Sequence, residues 1–252
     1  MLRTIKKLGL IAAALVFQSL IVRDDVPDEK FIELAKQYPQ ICHFPMGEGT
    51  LIDSSWIITA GHIGTDLLRD IKNGYKPKVI CNEIEYAIEK IIVHPGFKSI
   101  EEGLQNDIAL VQVKGKIDNV IPANLYDKQD EAGKEITIVG MGDMGTGISG
   151  PLKWDKITRA ATNRIDGLEN GWLYFTFDSP GSENVTSLEG ISGPGDSGGP
   201  AITDTDGKRY IIGISSHQQG QNKYGRGRYG VTEYYTRISF FYTWITESIN
   251  IK

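Results

Sequence analysis

Cysteine is almost missing from this chain, with Cys42 and Cys81 the only two in 252 residues. Two thiols make at most one bridge and lack the spacing of a zinc site, so the fold must rest on buried apolar side chains. Both lie in strand-like runs, and either one Cys42–Cys81 bridge or two buried free thiols fits them. Basic charge is in deficit, with 27 Lys and Arg against 32 Asp and Glu. That balance leaves no electrostatic footprint for nucleic acid. Past the first twenty residues no run is long and apolar enough to cross a bilayer. No helix-period pattern interrupts the middle of the chain.

What is present suits a folded, turn-rich chain. Hydrophobic residues make up 40% and charged residues 23%, enough apolar surface for a full core. The 29 Gly and 10 Pro are scattered along the whole length and fit tight turns between short strands. At the N-terminus Arg3, Lys6 and Lys7 precede the apolar run Leu8 to Phe17, the order of an export leader. Its end is weakly marked, since Phe17 and Ser19 fit the small-x-small rule loosely, and an uncleaved anchor is the alternative. Removal of residues 1–20 leaves 24 basic against 32 acidic side chains, a net charge of −8.

From Ile41 onward, β-branched and aromatic runs alternate with turn residues. The first set is Gly49 to Ile52, Trp56 to Thr59, Lys78 to Cys81, Tyr86 to Val93 and Ile108 to Val113. The second is Glu135 to Val139, Leu173 to Phe177, Ala201 to Thr203, Tyr210 to Ser215 and Glu233 to Ile238. Short strands at this spacing predict an all-β chain of barrels or sandwiches, long enough for two small barrels. Asn119 to Gly133 reads as the linker between halves. Asp28 to Tyr38 is predicted to form a short amphipathic turn or two. A helix closes the chain, with Ser239 as N-cap and Phe240, Phe241, Trp244, Ile245, Ser248 and Ile249 on one stripe.

The strongest chemical signal is Gly195-Asp196-Ser197-Gly198-Gly199-Pro200. One serine among glycines can sit on a sharp turn whose amides, those of Gly195 and Ser197, face a single point. Such a pair suits the oxyanion formed when a hydroxyl attacks a carbonyl. A serine hydroxyl needs a neighbouring base. Of His43, His62, His94 and His217, His62 follows the apolar strand Trp56 to Ile58, in Thr-Ala-Gly-His. Asp107, in Asn-Asp-Ile-Ala-Leu, precedes another apolar strand and is the candidate that orients the imidazole.

These three motifs, in this order, resemble the trypsin/chymotrypsin-like serine proteases over nearly all of residues 21–252. His62 and Asp107 are 45 residues apart, Asp107 and Ser197 are 90 apart, and both spacings are similar to the family's. The flanking runs Leu51-Ile52, Ile91 to Pro95 and Tyr235 to Ile238 are also similar. The resemblance implies two perpendicular six-stranded antiparallel β-barrels with a C-terminal helix. Residues 21–125 would form the first, carrying His62 and Asp107, and residues 126–252 the second, carrying Ser197.

Further parts carry over one at a time. Ser216 matches the serine that hydrogen-bonds the catalytic aspartate, and its backbone would pair with an extended substrate. His217 and Gln218 stand where the family usually has Trp and Gly, which implies narrower and more polar subsites. Asp196 would pair with an N-terminal ammonium freed by cleavage after Leu20, at Ile21, since an unpaired buried carboxylate is costly. Ile21 lies 41 residues before His62, but Arg23 and Asp24 replace the family's two glycines. Ile191 occupies the floor of the primary specificity pocket, where the family's Arg/Lys-cleaving enzymes have Asp. Ser192 follows on the wall, and Gly193 replaces a disulfide-bonded Cys. Glu233 either lines the opposite wall, where it would hold a basic side chain, or faces solvent beside an insertion at Thr232 to Tyr234.

Other motifs have plainer readings. Gly140-Met141-Gly142-Asp143-Met144-Gly145 matches a dinucleotide fingerprint, but Thr146 to Pro151 cannot start the helix it needs. Asn184-Val185-Thr186 fits a glycosylation pattern. Lys223 to Arg228 is a flexible basic loop. Glu83, Glu85 and Glu89 read as one solvated strand face rather than a calcium loop. The expectation is a secreted or periplasmic serine endopeptidase with no metal or cofactor. It would act on protein or peptide as a monomer, with no nucleic acid and no membrane once the leader is removed. A non-catalytic binding module on the same barrels and an esterase with the same triad are the rival readings.

Overall fold

The computed structural model describes residues 20–249. The basic and apolar leader, from Arg3 to Phe17, lies outside the described residues. Alternating apolar residues in six strands close the first barrel, in the order Ile41–Phe44, Gly47–Asp53, Trp56–Thr59, Ala109–Val113, Ile84–Val93 and Lys78–Cys81. Cys42 and Cys81 face each other across the first and last of these strands and are disulfide-bonded. Leu51, Ile58, Val79 and Leu110 lie in its core.

The second half carries the strands of the second barrel in two sheets. Its ladder is open, in the order Arg159–Arg164, Glu135–Gly140, Pro200–Thr205, Lys208–Gln219, Thr232–Arg237, Trp172–Thr176 and Gly167–Glu169. Asn124–Leu125, in the linker, adds to Lys208–Gln219 in parallel. A four-stranded sheet, Gly150–Trp154, Asp143–Thr146, Leu20–Val22 and Gly190–Ile191, covers it. Arg159–Arg164 is joined to the far side by a parallel bridge, Thr162 to Glu189, and by Asn163 Nδ2, which donates to the carbonyls of Thr176 and Gly190 at 3.1 and 3.0 Å. A core of Ile138, Leu173, Phe175, Ile212 and Tyr235 fills this half.

Short helices sit on this all-β frame. Asp28–Ala35 extends the predicted turns into a helix, tied to the second half by Asp28, whose carboxylate accepts from Arg159 Nε at 2.7 Å and Nη2 at 2.8 Å. Gly61–Lys72 is a twelve-residue helix where the sequence indicated none. It buries Ile63, Gly64 and Leu67 against the first barrel and leaves Leu68 and Ile71 exposed. Gly64 allows the close approach, since a Cβ there would stand 2.6 Å from that of Ala109. The C-terminal helix runs Ile238–Ser248 and docks Ile238, Phe241 and Ile245 on the first barrel's core. Ser239 is not its cap: its hydroxyl donates to Glu131, which also accepts from Arg237 at 2.6 and 2.9 Å. Phe240, predicted on the buried stripe, is exposed. No helix among the described residues is long and apolar enough to cross a membrane.

Candidate functional site

The helix Gly61–Lys72 begins one residue before His62, so the backbone N–H of His62 is one of the donors a helix start leaves unpaired. Asp107 takes it. Its Oδ1 accepts that N–H at 2.8 Å, while His62 Nδ1 lies 2.9 Å from Oδ2 and 3.1 Å from Oδ1. Ser216 Oγ donates to Oδ2 at 2.5 Å, and Thr236 Oγ1 donates to the Asp107 carbonyl at 2.7 Å. The carboxylate is fully buried. Burial would raise its pKa, but the hydrogen bonds from and charge of His62, with the Ser216 hydroxyl, hold it below the usual carboxylate range. Burial alone would lower the His62 pKa; the bond to Asp107 and its charge reverse this and raise it above 6.5.

Ser197 is brought to this pair by its flanking backbone. Its carbonyl accepts from Glu48 N–H at 2.8 Å, Gly198 N–H donates to the Ser215 carbonyl at 3.0 Å, and Ser215 N–H donates to Gly199 at 2.8 Å. Gly198 has φ +84°, and a Cβ there would meet Thr59 Oγ1 and the Glu48 carbonyl at 2.2 and 2.3 Å. Glycine is thus required where the serine turn presses on the strand leading to His62. No hydrogen bond joins the Ser197 hydroxyl to His62 among the described residues. The N–H groups of Gly195 and Ser197 donate to no acceptor among them either.

Asp196 holds the turn from behind. Its buried carboxylate accepts from Gly142 N–H through Oδ1 and from Gly193 N–H through Oδ2, each at 2.6 Å. A Cβ on Gly140 would stand 2.1 Å from Oδ1. The Gly140 to Gly145 run is therefore the cradle of this carboxylate, and a hairpin follows it rather than a helix. Burial, then the nearby Glu48 charge, pushes the Asp196 pKa well up, against the pull of the two N–H groups. No bond joins Asp196 to Ile21 in the uncut chain. Ile21 is the middle residue of its strand, in register with Gly145 and Ile191. Leu20 is the residue that reaches Gly140 beside Asp196.

A cavity of about 340 Å³ opens beside Ser197, lined by Ser192, Ser216, His217, Gln218 and Glu233. Ile191, placed on its floor by the sequence, is instead in the core of the second half, because its backbone pairs with Ile21 and its side chain points inward. Glu233 is buried on the wall. Its Oε2 accepts from Ser192 N–H at 2.7 Å and its Oε1 from the Ser192 hydroxyl. Burial, opposed by Ser192 and Gln218, raises its pKa to about 7. Gln218 Nε2 donates to the Ser192 carbonyl at 2.8 Å, bridging the two walls. His217 packs at 5.1 Å from Trp172 and stacks at 4.9 Å on Tyr234, and burial lowers its pKa.

Sequence reasoning missed Glu48, almost fully buried, whose Oε1 accepts from Met141 N–H at 2.6 Å and whose Oε2 has no hydrogen-bond partner. A charged residue between Gly47 and Gly49 inside a strand was the available signal. Arg226, from the basic loop read beside the cleft, and Gln221, which the sequence did not single out, also line the cavity. Among the described residues no cluster of three or more His, Cys, Asp or Glu is arranged for a metal ion.

Comparison with known sequences agrees with this geometry. The family described as Trypsin matches residues 35–245. Serine protease SP24D of Anopheles gambiae is 27% identical over 78% of this chain and 69% of its own length. CLIP domain-containing serine protease B4 of the same organism is 27% identical over 80% of the chain. Vitamin K-dependent protein C of Mus musculus is 27% identical over 81%. The chain spans 61% and 46% of those two longer proteins.

Proposed function

Because the chain belongs to the trypsin family, we propose that it is a serine endopeptidase with His62, Asp107 and Ser197 as its triad. The observation that carries the reading is the His62 ring held by Asp107 at 2.9 Å, next to a serine turn whose Gly195 and Ser197 N–H groups have no acceptor among the described residues. Asp107 fixes the tautomer with the proton on Nδ1 and leaves Nε2 as the acceptor. As Ser197 Oγ bonds to the substrate carbonyl carbon, His62 takes its proton. The carbonyl oxygen becomes an anion facing the two N–H groups. The tetrahedral centre then collapses, the C–N bond breaks, and His62 gives its proton to the leaving amine. A water, losing a proton to His62, splits the acyl ester and restores Ser197.

The proposal extends to export through residues 1–20 and to a basic side chain before the scissile bond, held by Glu233. The esterase and binding-module readings share the fold and part on chemistry. A serine-reactive phosphonate should label the processed protein and not Ser197→Ala, and the unlabelled processed protein should degrade a denatured protein. No labelling would favour the binding module; labelling without degradation would favour the esterase.

A further inference from the structure

Glu233 is buried at the end of a chain of hydroxyls that can point two ways. Ser192 Oγ donates to Glu233 Oε1 and stands 3.0 Å from Ser215 Oγ. A hydroxyl carries one proton and two lone pairs. With Glu233 ionised, Ser192 gives its proton to the carboxylate. With Glu233 protonated, the acid donates to Ser192 Oγ, whose own proton turns to Ser215. Both charge states therefore leave every polar atom of the chain bonded, so neither is penalised by an orphaned group.

We propose that Glu233 sets which side chain the pocket accepts: the acid form takes a neutral amide such as glutamine, and the carboxylate takes lysine or arginine. This rests on the proposed endopeptidase site and deepens its substrate class. The groups facing Glu233 allow either state. Burial of the wall disfavours the charge, while Ser192 and Gln218 favour it; Asp196 and Tyr235 lie close enough that the Glu233 charge raises their own pKa values. Arg226 lines the same cavity from an exposed position, and His217 forms another part of its wall. With a pKa raised to about 7, the acid and the carboxylate both occur in the range where His62 becomes an active base.

Benzamidine, a cation that is not cleaved, reads the pocket independently of the triad. Calorimetry at pH 6 and pH 8 should find binding to the unaltered protein about tenfold tighter at pH 8, since the ionised fraction rises about tenfold across about pH 7. Glu233→Gln should weaken binding about tenfold at pH 8 and less than twofold at pH 6. Protonation of His62 and His217 affects both proteins alike, so the pH-dependent difference belongs to Glu233. Equal affinities of the two proteins, or an equal loss at both pH values, overturns the proposal. Should Glu233→Gln not fold, Ser192→Ala serves: losing the hydroxyl donor that favours the carboxylate, while the backbone N–H stays, moves the binding inflection to higher pH, and an unmoved inflection overturns it. Failure of phosphonate labelling would sink the hydrolase reading and leave this binding result standing.

Discussion

Asp107 grips His62 twice, through the backbone N–H at 2.8 Å and through the ring Nδ1 at 2.9 Å. One carboxylate therefore both ends a helix and sets a tautomer. Asp107→Asn keeps the size but presents an amide N–H to one of these donors. In serine proteases the equivalent change costs on the order of 10⁴ in kcat with the geometry intact. A loss of that order, measured on a peptide substrate with an unchanged far-ultraviolet spectrum, is expected here. A loss under tenfold would deny Asp107 its role.

The direction of the His62 shift predicts the acid limb of the rate profile. Only neutral His62 accepts the Ser197 proton, so activity is present above its pKa and lost as pH falls through it. The hydrogen bond to and charge of Asp107 outweigh burial and raise that pKa. The midpoint of kcat/KM against pH should then lie above about 6.5, read in a Glu233→Gln background so that the titration of Glu233 does not contribute. In Asp107→Asn the residual activity should show a lower midpoint, because the raising charge is gone.

Much of this was legible in the sequence, and the failures have physical causes. Trp56–Thr59 and Lys78–Cys81 alternate or cluster β-branched residues and appear as strands where expected. Arg159–Arg164 did not, because its buried positions hold Ala, Thr and Asn and its Arg159 is neutralised by Asp28 and Asp155. The helix Gly61–Lys72 was hidden by Gly61, Gly64 and Thr65, poor helix formers that tertiary packing overrides. His62 and Asp107 were readable as motifs, whereas Glu48 and the inward turn of Ile191 depend on contacts between segments far apart in the chain.

The Cys42–Cys81 bridge joins residues 39 apart and lies between the strands that close the first barrel. Loop-closure entropy assigns such a link about 4 kcal/mol. Replacing both cysteines by Ala should lower the denaturation free energy by that order in urea titration, with phosphonate labelling of the folded variant retained. An unchanged midpoint would mean that the ladder alone closes the barrel.

Gln218 spans the cavity mouth to the Ser192 carbonyl at 2.8 Å, where the family usually has no side chain. Gln218→Gly removes that bar without touching the triad. Cleavage after Phe or Leu should rise about tenfold relative to cleavage after Ser, comparable with admitting one or two more methylenes. A ratio that stays put would show that bulky side chains are stopped elsewhere.

Asp196 is buried beside Glu48 and, among the described residues, accepts from two backbone N–H groups and from no cationic side chain. A freed ammonium is the group that would compensate it. Leu20, opposite Met144, sets its side chain beside Gly140 and the Asp196 carboxylate, whereas Ile21 pairs its backbone with Gly145 and Ile191 inside the sheet. Cleavage ahead of Leu20 is therefore expected to raise kcat, one residue earlier than the spacing to His62 indicates. Asp196→Asn should erase the gain, since an amide cannot balance the ammonium. N-terminal sequencing of the active form checks it, and full activity in a chain that starts well before Leu20 would rule the pairing out.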